Sequence, residues 1–139
     1  MAVVPVVTDA AAGPEARAVF DDIRAKRQTN FVNNFWRALA HDPALLKATW
    51  ERLQAVMAPG ALDPLTKELI YVAVSVANGC GYCIHSHTAA ARAKGMTDAQ
   101  HGELLAVIAM ASQTNALATA LQVPVDPAVI PPESRGLHK

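Results

Sequence analysis

Residues 68–87 read ELIYVAVSVANGCGYCIHSH, and this stretch decides between a helical and a β fold. From Tyr71 to Ala77 the residues alternate between large and small and are rich in β-branched types, which is typical of a strand. A strand leading into C-x-x-C would indicate a thioredoxin-like fold. However, the start signal Asp63-Pro64 opens an apolar element of 14 residues, which is long for a strand, and the chain lacks further convincing strands. We therefore predict a helix that is buried on all sides.

The rest of the chain also carries helical signals. Prolines at first helical positions open helices at Pro14 and Pro43. Gly95 fits the end of a helix, and Thr97 with Gln100 forms a capping-box pattern that begins another. The first predicted helix begins at Pro14. The others cover residues 34–40, 43–57, 64–77, 80–94, 98–112 and 115–121. We predict an all-α single domain, 1–139, of about six to seven helices, with an N-terminal arm at 1–12 and an irregular proline-rich tail at 123–139.

The composition narrows the class of protein. The chain has 139 residues, and 12 Lys and Arg balance 12 Asp and Glu, so the formal net charge is zero. This balance argues against binding to nucleic acid or to an anionic membrane, because both need a surplus of positive charge. Hydrophobic residues make up 52% of the chain and the mean hydropathy is +0.17, which is high for so small a protein. We expect part of this apolar surface to lie in a subunit interface.

The location is predicted from what the sequence lacks and from its cysteines. The first residues, MAVVPVVT, have no basic region and are interrupted by Pro5, so they do not resemble a signal peptide. The uncharged stretch 104–125 has polar residues at its centre, which argues against a membrane span. We therefore expect a cytoplasmic protein. In that reducing compartment, Cys80 and Cys83, the two cysteines of the chain, are expected to be catalytic or metal-binding.

The spacing of four side chains predicts a common pocket. Cys80, Cys83 and His87 fall within about 60° of one helical face, whereas His85 points away from it. The turn at residues 78–79 separates this helix from the one that carries Glu68. If the two helices pack antiparallel, as a short connection favours, Glu68 comes level with His87.

This set of groups suits the reduction of a peroxide. A thiolate is stabilised at a helix N-terminus, an imidazole can take the thiol proton, and a carboxylate orients the imidazole. The second cysteine can then close onto the oxidised first one as a disulfide.

The pattern of Glu68, eleven residues and C-x-x-C-x-x-x-H resembles the core of the AhpD-like alkylhydroperoxidases, within the carboxymuconolactone decarboxylase superfamily. The segments FWRALAHDPALL (35–46) and DPLTKELI (63–70) are also similar to that family. The resemblance covers residues 30–112 and implies an AhpD-like helical fold, assembled as an obligate homo-trimer or homo-hexamer. It implies that Cys83 attacks the hydroperoxide, that Cys80 resolves the product and donates a proton, and that His87 with Glu68 forms the proton relay. It also implies an external dithiol reductant of the dihydrolipoyl or thioredoxin type, and neither a metal nor a cofactor beyond the cysteine pair.

The sequence departs from the family pattern at one position of the motif. The family archetype has a histidine immediately before its second cysteine, where this chain has Tyr82. The Tyr82 hydroxyl is therefore an accessory candidate, as is His85. True decarboxylases of the superfamily generally lack the cysteine pair, so decarboxylation is not expected.

Two other functions remain open at this point. The same cysteine pair would suit a dithiol–disulfide oxidoreductase that acts on proteins rather than on peroxides. Alternatively, the chain is a non-catalytic oligomeric module, or a zinc-binding one in which Cys80, Cys83, His87 and Glu68 are the ligands. A c-type haem is excluded because Ile84, and not histidine, follows the second cysteine.

Overall fold

A computed structural model describes residues 2–134 of the chain, and these residues form six α-helices, two short 3-10 helices and no strand. The helices are α1 (Pro14–Arg27), α2 (Asn34–Leu39), α3 (Pro43–Met57), α4 (Pro64–Ala77), α5 (Gly81–Ala93) and α6 (Asp98–Leu121). The 3-10 helices are Pro127–Val129 and Pro132–Ser134, within the predicted tail. The all-α prediction is confirmed, including the helical assignment of residues 71–77.

The chain divides into two compact units, one up to Gly60 and one from Ala61 onward. The single domain expected from the sequence stays a prediction. Residues 135–139 of the predicted tail, and Met1 of the predicted arm, lie outside the described residues.

The first unit has a well-packed apolar core. Helices α1 and α2 both pack against α3, and the indole rings of Trp36 and Trp50 meet edge to face at 5.2 Å. The buried members of this core are Ala16, Val19, Phe20, Ile23, Val32, Trp36, Ala40, Leu46 and Trp50. The N-terminal arm is held to this unit, since Arg37 donates to the Val7 carbonyl at 3.0 Å and forms an ion pair with Asp9 at 2.8 Å.

The second unit is built on the hairpin of α4 and α5. Asp63 caps α4 by accepting a hydrogen bond from the Thr66 backbone N–H at 2.9 Å. The chain then reverses at Gly79, whose φ of +68° is a left-handed conformation that favours glycine, and the Cys80 N–H donates back to the Ser75 carbonyl at 2.9 Å. This tight connection makes α4 and α5 antiparallel neighbours, as the sequence predicts.

The predicted break between two helices at residues 112–115 is wrong. Helix α6 runs without interruption from Asp98 to Leu121, behind the capping box that Thr97 and Gln100 form. Ser112 donates its hydroxyl to the Ile108 carbonyl at 2.8 Å, and the Thr114 hydroxyl donates to the Met110 carbonyl at 3.0 Å. Polar side chains that bond back to the preceding turn in this way remain compatible with a helix, so the polar segment did not end it.

Helix α6 is mostly exposed, with only His101, Leu104 and Ile108 partly buried. None of its residues is buried, although it carries Leu105, Val107, Met110, Leu117 and Leu121, each at least half exposed. Within the part of the chain that the structure describes, it is the one helix long and apolar enough to cross a membrane, judged by length and composition alone.

Candidate active site

The α4–α5 hairpin brings a carboxylate and an imidazole together. Glu68, on the second turn of α4, is 4% exposed and its Oε2 lies 2.7 Å from Nδ1 of His87 on α5. The two residues are level across the hairpin, as the antiparallel packing predicts.

The charge of Glu68 determines how this pair is protonated. Burial raises the pKa of the carboxyl group. The hydrogen bonds from His87 and Lys94, together with the charges of both partners, lower the pKa by more than burial raises it, so that it lies below its ordinary value. Glu68 is therefore a carboxylate at neutral pH and can only accept. Nδ1 of His87 must donate to it, which leaves Nε2 as the ring nitrogen that can take a proton.

The cysteines lie at the N-terminal end of α5. Cys80 is the N-cap of α5 and Cys83 is in the first turn, with their Cα atoms 5.3 Å apart and their sulfurs joined as a disulfide. The Cys83 N–H donates to the Cys80 sulfur at 3.2 Å. Unpaired N–H groups of a first helical turn stabilise a thiolate, so the reduced pair would sit in an environment that favours ionisation.

The two accessory candidates are on the surface. Tyr82, between the cysteines, is 46% exposed, and His85 is exposed on the far side of α5 from His87. Their accessory roles stay predictions.

The structure adds two residues that sequence reasoning missed. Lys94 Nζ lies 2.7 Å from the other oxygen of Glu68, and the Tyr71 ring stacks on the His87 ring with centroids 3.5 Å apart. The spacing carries a partial signal, because Tyr71 lies three residues after Glu68 on α4 and Lys94 lies seven residues after His87 at the end of α5, so each shares a helical face with one member of the pair. The contacts themselves cross between the two helices, which spacing within one helix does not indicate, and a lysine at a helix C-terminus is usual.

The zinc-binding alternative receives no support from the arrangement. Among residues 2–134, no three His, Cys, Asp or Glu side chains lie together so as to hold a metal ion. In the disulfide the two sulfurs bind each other, so zinc would require the reduced pair.

Ionised Glu68 is expected to make stability depend on pH. Because its pKa in the folded protein is below the ordinary value of 4.5, its contribution is present above the unfolded pKa and is lost as pH falls through the folded one. We expect the free energy of unfolding of the wild type to fall more steeply than that of Glu68→Gln over this acid range. Urea unfolding of both proteins at several pH values measures the difference, and parallel curves would contradict it.

Comparison with known proteins places the chain in a family. Residues 43–126 match the carboxymuconolactone decarboxylase family. The chain is 41% identical over 76 residues to alkyl hydroperoxide reductase AhpD of Solibacter usitatus, and 40% identical over 70 residues to the AhpD of Maricaulis maris. These matches cover 55% and 50% of this chain but only 41% and 38% of the relatives, so the chain spans about two fifths of their length.

A solved structure is similar over nearly the whole chain. The crystal structure of the alkylhydroperoxidase AhpD core from Rhodospirillum rubrum has 66% sequence identity and a TM-score of 0.89, and the match covers 92% of this chain and 96% of that one. The chain therefore belongs to the carboxymuconolactone decarboxylase family, as an AhpD-like member of it.

Proposed function

We propose that the chain reduces organic hydroperoxides with the cysteine pair of α5. The observation that carries this proposal is the buried Glu68–His87 pair, with 2.7 Å between Oε2 and Nδ1, on the same hairpin as the first-turn cysteines. An imidazole one helical turn after a cysteine at a helix N-terminus, as His87 is after Cys83, is spaced to take the thiol proton and so to favour a thiolate at neutral pH. The similarity to proteins named alkyl hydroperoxide reductase supports the same chemistry.

The proposed cycle begins with the reduced pair. His87 takes the proton of the Cys83 thiol at Nε2, while Glu68 holds Nδ1 and stabilises the imidazolium. The Cys83 thiolate attacks the terminal oxygen of the hydroperoxide, the O–O bond breaks, and the alkoxide leaves with the proton that the relay returns. Cys83 is then a sulfenic acid and the hydroperoxide has become an alcohol.

The second half of the cycle uses Cys80. Its sulfur attacks the sulfur of the Cys83 sulfenic acid, the S–O bond breaks, and the oxygen leaves as water with the Cys80 thiol proton. This closes the disulfide. An external dithiol of the dihydrolipoyl or thioredoxin type then supplies two electrons and two protons by two thiol–disulfide exchanges. Gly81 and Tyr82 are exposed, which leaves this end of α5 open to such a partner.

The experiment that tests this function follows the loss of the two thiols. The reduced protein is mixed with cumene hydroperoxide, and its rate of thiol loss is compared with that of free dithiothreitol at the same thiol concentration. We expect much faster loss, ending in an intramolecular disulfide by intact mass. His101→Ala is the matched control, because His101 contacts Arg92 at 3.2 Å rather than Glu68. Loss no faster than the free dithiol would contradict the peroxidase proposal and favour disulfide exchange with a protein.

We also propose that copies of this chain assemble into a homo-oligomer, a trimer or a hexamer, through α6. This helix buries none of its residues, and no charged residue occurs between Leu104 and Leu121. A membrane is the poorer occupant of such a face, because polar residues lie at the helix centre and residues 122–134 contain neither a basic nor an aromatic anchor. A second copy offers the same apolar helix and a matching interface.

Leu117→Lys tests the assembly. Because Leu117 is 52% exposed in the protomer, a lysine there should leave the fold intact and reduce the mass measured by light scattering to that of a monomer. Ala18→Lys, on an exposed position of α1, is the matched control and should keep the wild-type mass. A monomeric wild type, or a wild type that sediments with neutral lipid vesicles, would overturn the proposal.

A further inference from the structure

We propose that Lys94 is a positioning residue of the relay, which holds the second oxygen of Glu68 and so fixes the carboxylate that orients the ring of His87. This inference rests on the proposed function, because it concerns the same Glu68–His87 pair. It assigns a role to a residue outside the cysteine, histidine and glutamate pattern of the motif.

Two donors bind the carboxylate of Glu68, one at each oxygen. The carboxylate is 4% exposed, Oε2 accepts from Nδ1 of His87, and Oε1 accepts from Nζ of Lys94, each at 2.7 Å. A carboxylate bound at one oxygen can rotate about its last single bond, whereas donors on both oxygens fix its plane. Lys94 therefore fixes the oxygen that in turn orients the imidazole.

The backbone of Lys94 is held where this contact needs it. Lys94 is the C-cap of α5, and the chain reverses immediately after it at Gly95, whose φ is +96°. The Met96 N–H donates to the Ala91 carbonyl at 3.0 Å, and both of those side chains are buried. The usual helix-dipole explanation accounts for a lysine at this position, but not for an ammonium placed on a buried carboxylate of the neighbouring helix.

The charges that face His87 come from each packed element. From α4 they are the Glu68 carboxylate and the stacked Tyr71 ring, and from the end of α5 the Lys94 ammonium. On α6, Asp98 and His101 contact Arg92 instead. Lys94 is therefore the charged group that holds the Glu68 oxygen turned away from His87.

Removing the ammonium should therefore loosen the orientation of His87. In Lys94→Met, the Glu68 carboxylate is bound at one oxygen only, so it can rotate about its last single bond and no longer fixes the ring. Nε2 is then less often placed to take the thiol proton, and thiolate formation depends more on the pH of the solution.

The test combines an NMR readout of the His87 ring with a pH–rate profile. In the wild type the Nδ1 proton of His87 is held by Glu68 and should exchange slowly with solvent, and in Lys94→Met we expect its signal to broaden or disappear. We expect thiol loss with cumene hydroperoxide to fall roughly tenfold at neutral pH and to recover at alkaline pH, where the thiol ionises without the relay. Lys94→Arg should restore both readouts, since it keeps the charge and a donor. If Lys94→Met does not fold, Lys94→Leu serves in its place.

Lys47→Met is the matched control, because Lys47 is an exposed lysine whose ion pair with Glu51 spans 3.7 Å on the surface of α3. An unchanged Nδ1–H signal with an unchanged pH–rate profile in the Lys94 variant would overturn the inference. So would an equal loss of rate at every pH, which is the sign of a merely structural role. A broadened signal in the variant, together with a wild type that reacts no faster than free dithiol, would refute the proposed function and leave the positioning of His87 by Lys94 standing.

Discussion

Cys83→Ser is expected to abolish hydroperoxide reduction. Attack on an O–O bond requires a polarisable thiolate, and a serine hydroxyl in the same first turn of α5 stays protonated at neutral pH and is a much poorer nucleophile. The rate should fall to that of an unrelated protein thiol, a loss of about three orders of magnitude or more. Hydroperoxide consumption in the presence of excess dithiothreitol measures the loss.

Cys80→Ser is the matched control for this result. It leaves the attacking sulfur in place but removes the one that resolves the sulfenic acid. We expect one equivalent of hydroperoxide to be consumed rapidly, and the oxidised protein to react with dimedone with the mass increase of a trapped sulfenic acid. Full activity in Cys83→Ser, together with no activity in Cys80→Ser, would mean that Cys80 is the attacking cysteine and Cys83 is not.

The structure makes this pair of variants decisive, because each cysteine has its own source of stabilisation. Cys80 accepts a hydrogen bond from the Cys83 N–H at 3.2 Å, which favours a thiolate on Cys80. Cys83 is one helical turn before His87, at a spacing that places the two side chains on one face of α5, as the proposed transfer of the thiol proton to the imidazole requires. A thioredoxin-like mechanism depends on the first effect, and the proposed peroxidase depends on the second.

Most of the fold could be predicted from local signals, and the exceptions have physical causes. Prolines at first helical positions and aspartate caps marked where α3 and α4 begin, and their apolar patterns marked how far they run. The β-branched run in α4 forms helix because packing against α5 outweighs a weak local preference. The break expected near Ser112 is absent, because the Ser112 hydroxyl donates to the Ile108 carbonyl within the helix. Composition does not indicate whether such a side chain bonds within the helix or ends it.

The part of the candidate site that could be predicted is the part that follows from the spacing of residues in the sequence. The eighteen residues between Glu68 and His87 close into a hairpin of two helices, and this places their side chains level. Lys94 was not predicted, because its side chain crosses to the neighbouring helix and sequence spacing within one helix does not indicate such a contact. The exposure of α6 was likewise beyond prediction, since an apolar helix of this length is ordinarily buried in its own protomer.

His87→Ala and Glu68→Gln are expected to slow thiol oxidation strongly without abolishing it. His87→Ala removes the base, and proton transfer by a positioned side chain accelerates such steps by about 10² to 10⁴-fold. Glu68→Gln keeps an oxygen that can accept from Nδ1, but it removes the charge that stabilises imidazolium and leaves the Lys94 ammonium without its partner. Both variants should have less thiolate at neutral pH and should recover much of their rate as the pH is raised.

The double variant separates a relay from two independent contributions. If Glu68 acts only through His87, removing it from a protein that already lacks the imidazole costs nothing more, and the double variant reacts at the rate of His87→Ala alone. Stopped-flow thiol loss with cumene hydroperoxide gives the four rates of this cycle, with His101→Ala as the control for removal of an unrelated imidazole. Multiplicative losses would contradict the relay, because they would mean that the carboxylate acts on the reaction by a route of its own. The 2.7 Å contact between Oε2 and Nδ1, with Nε2 left to take the proton, is the physical reason to expect the first result.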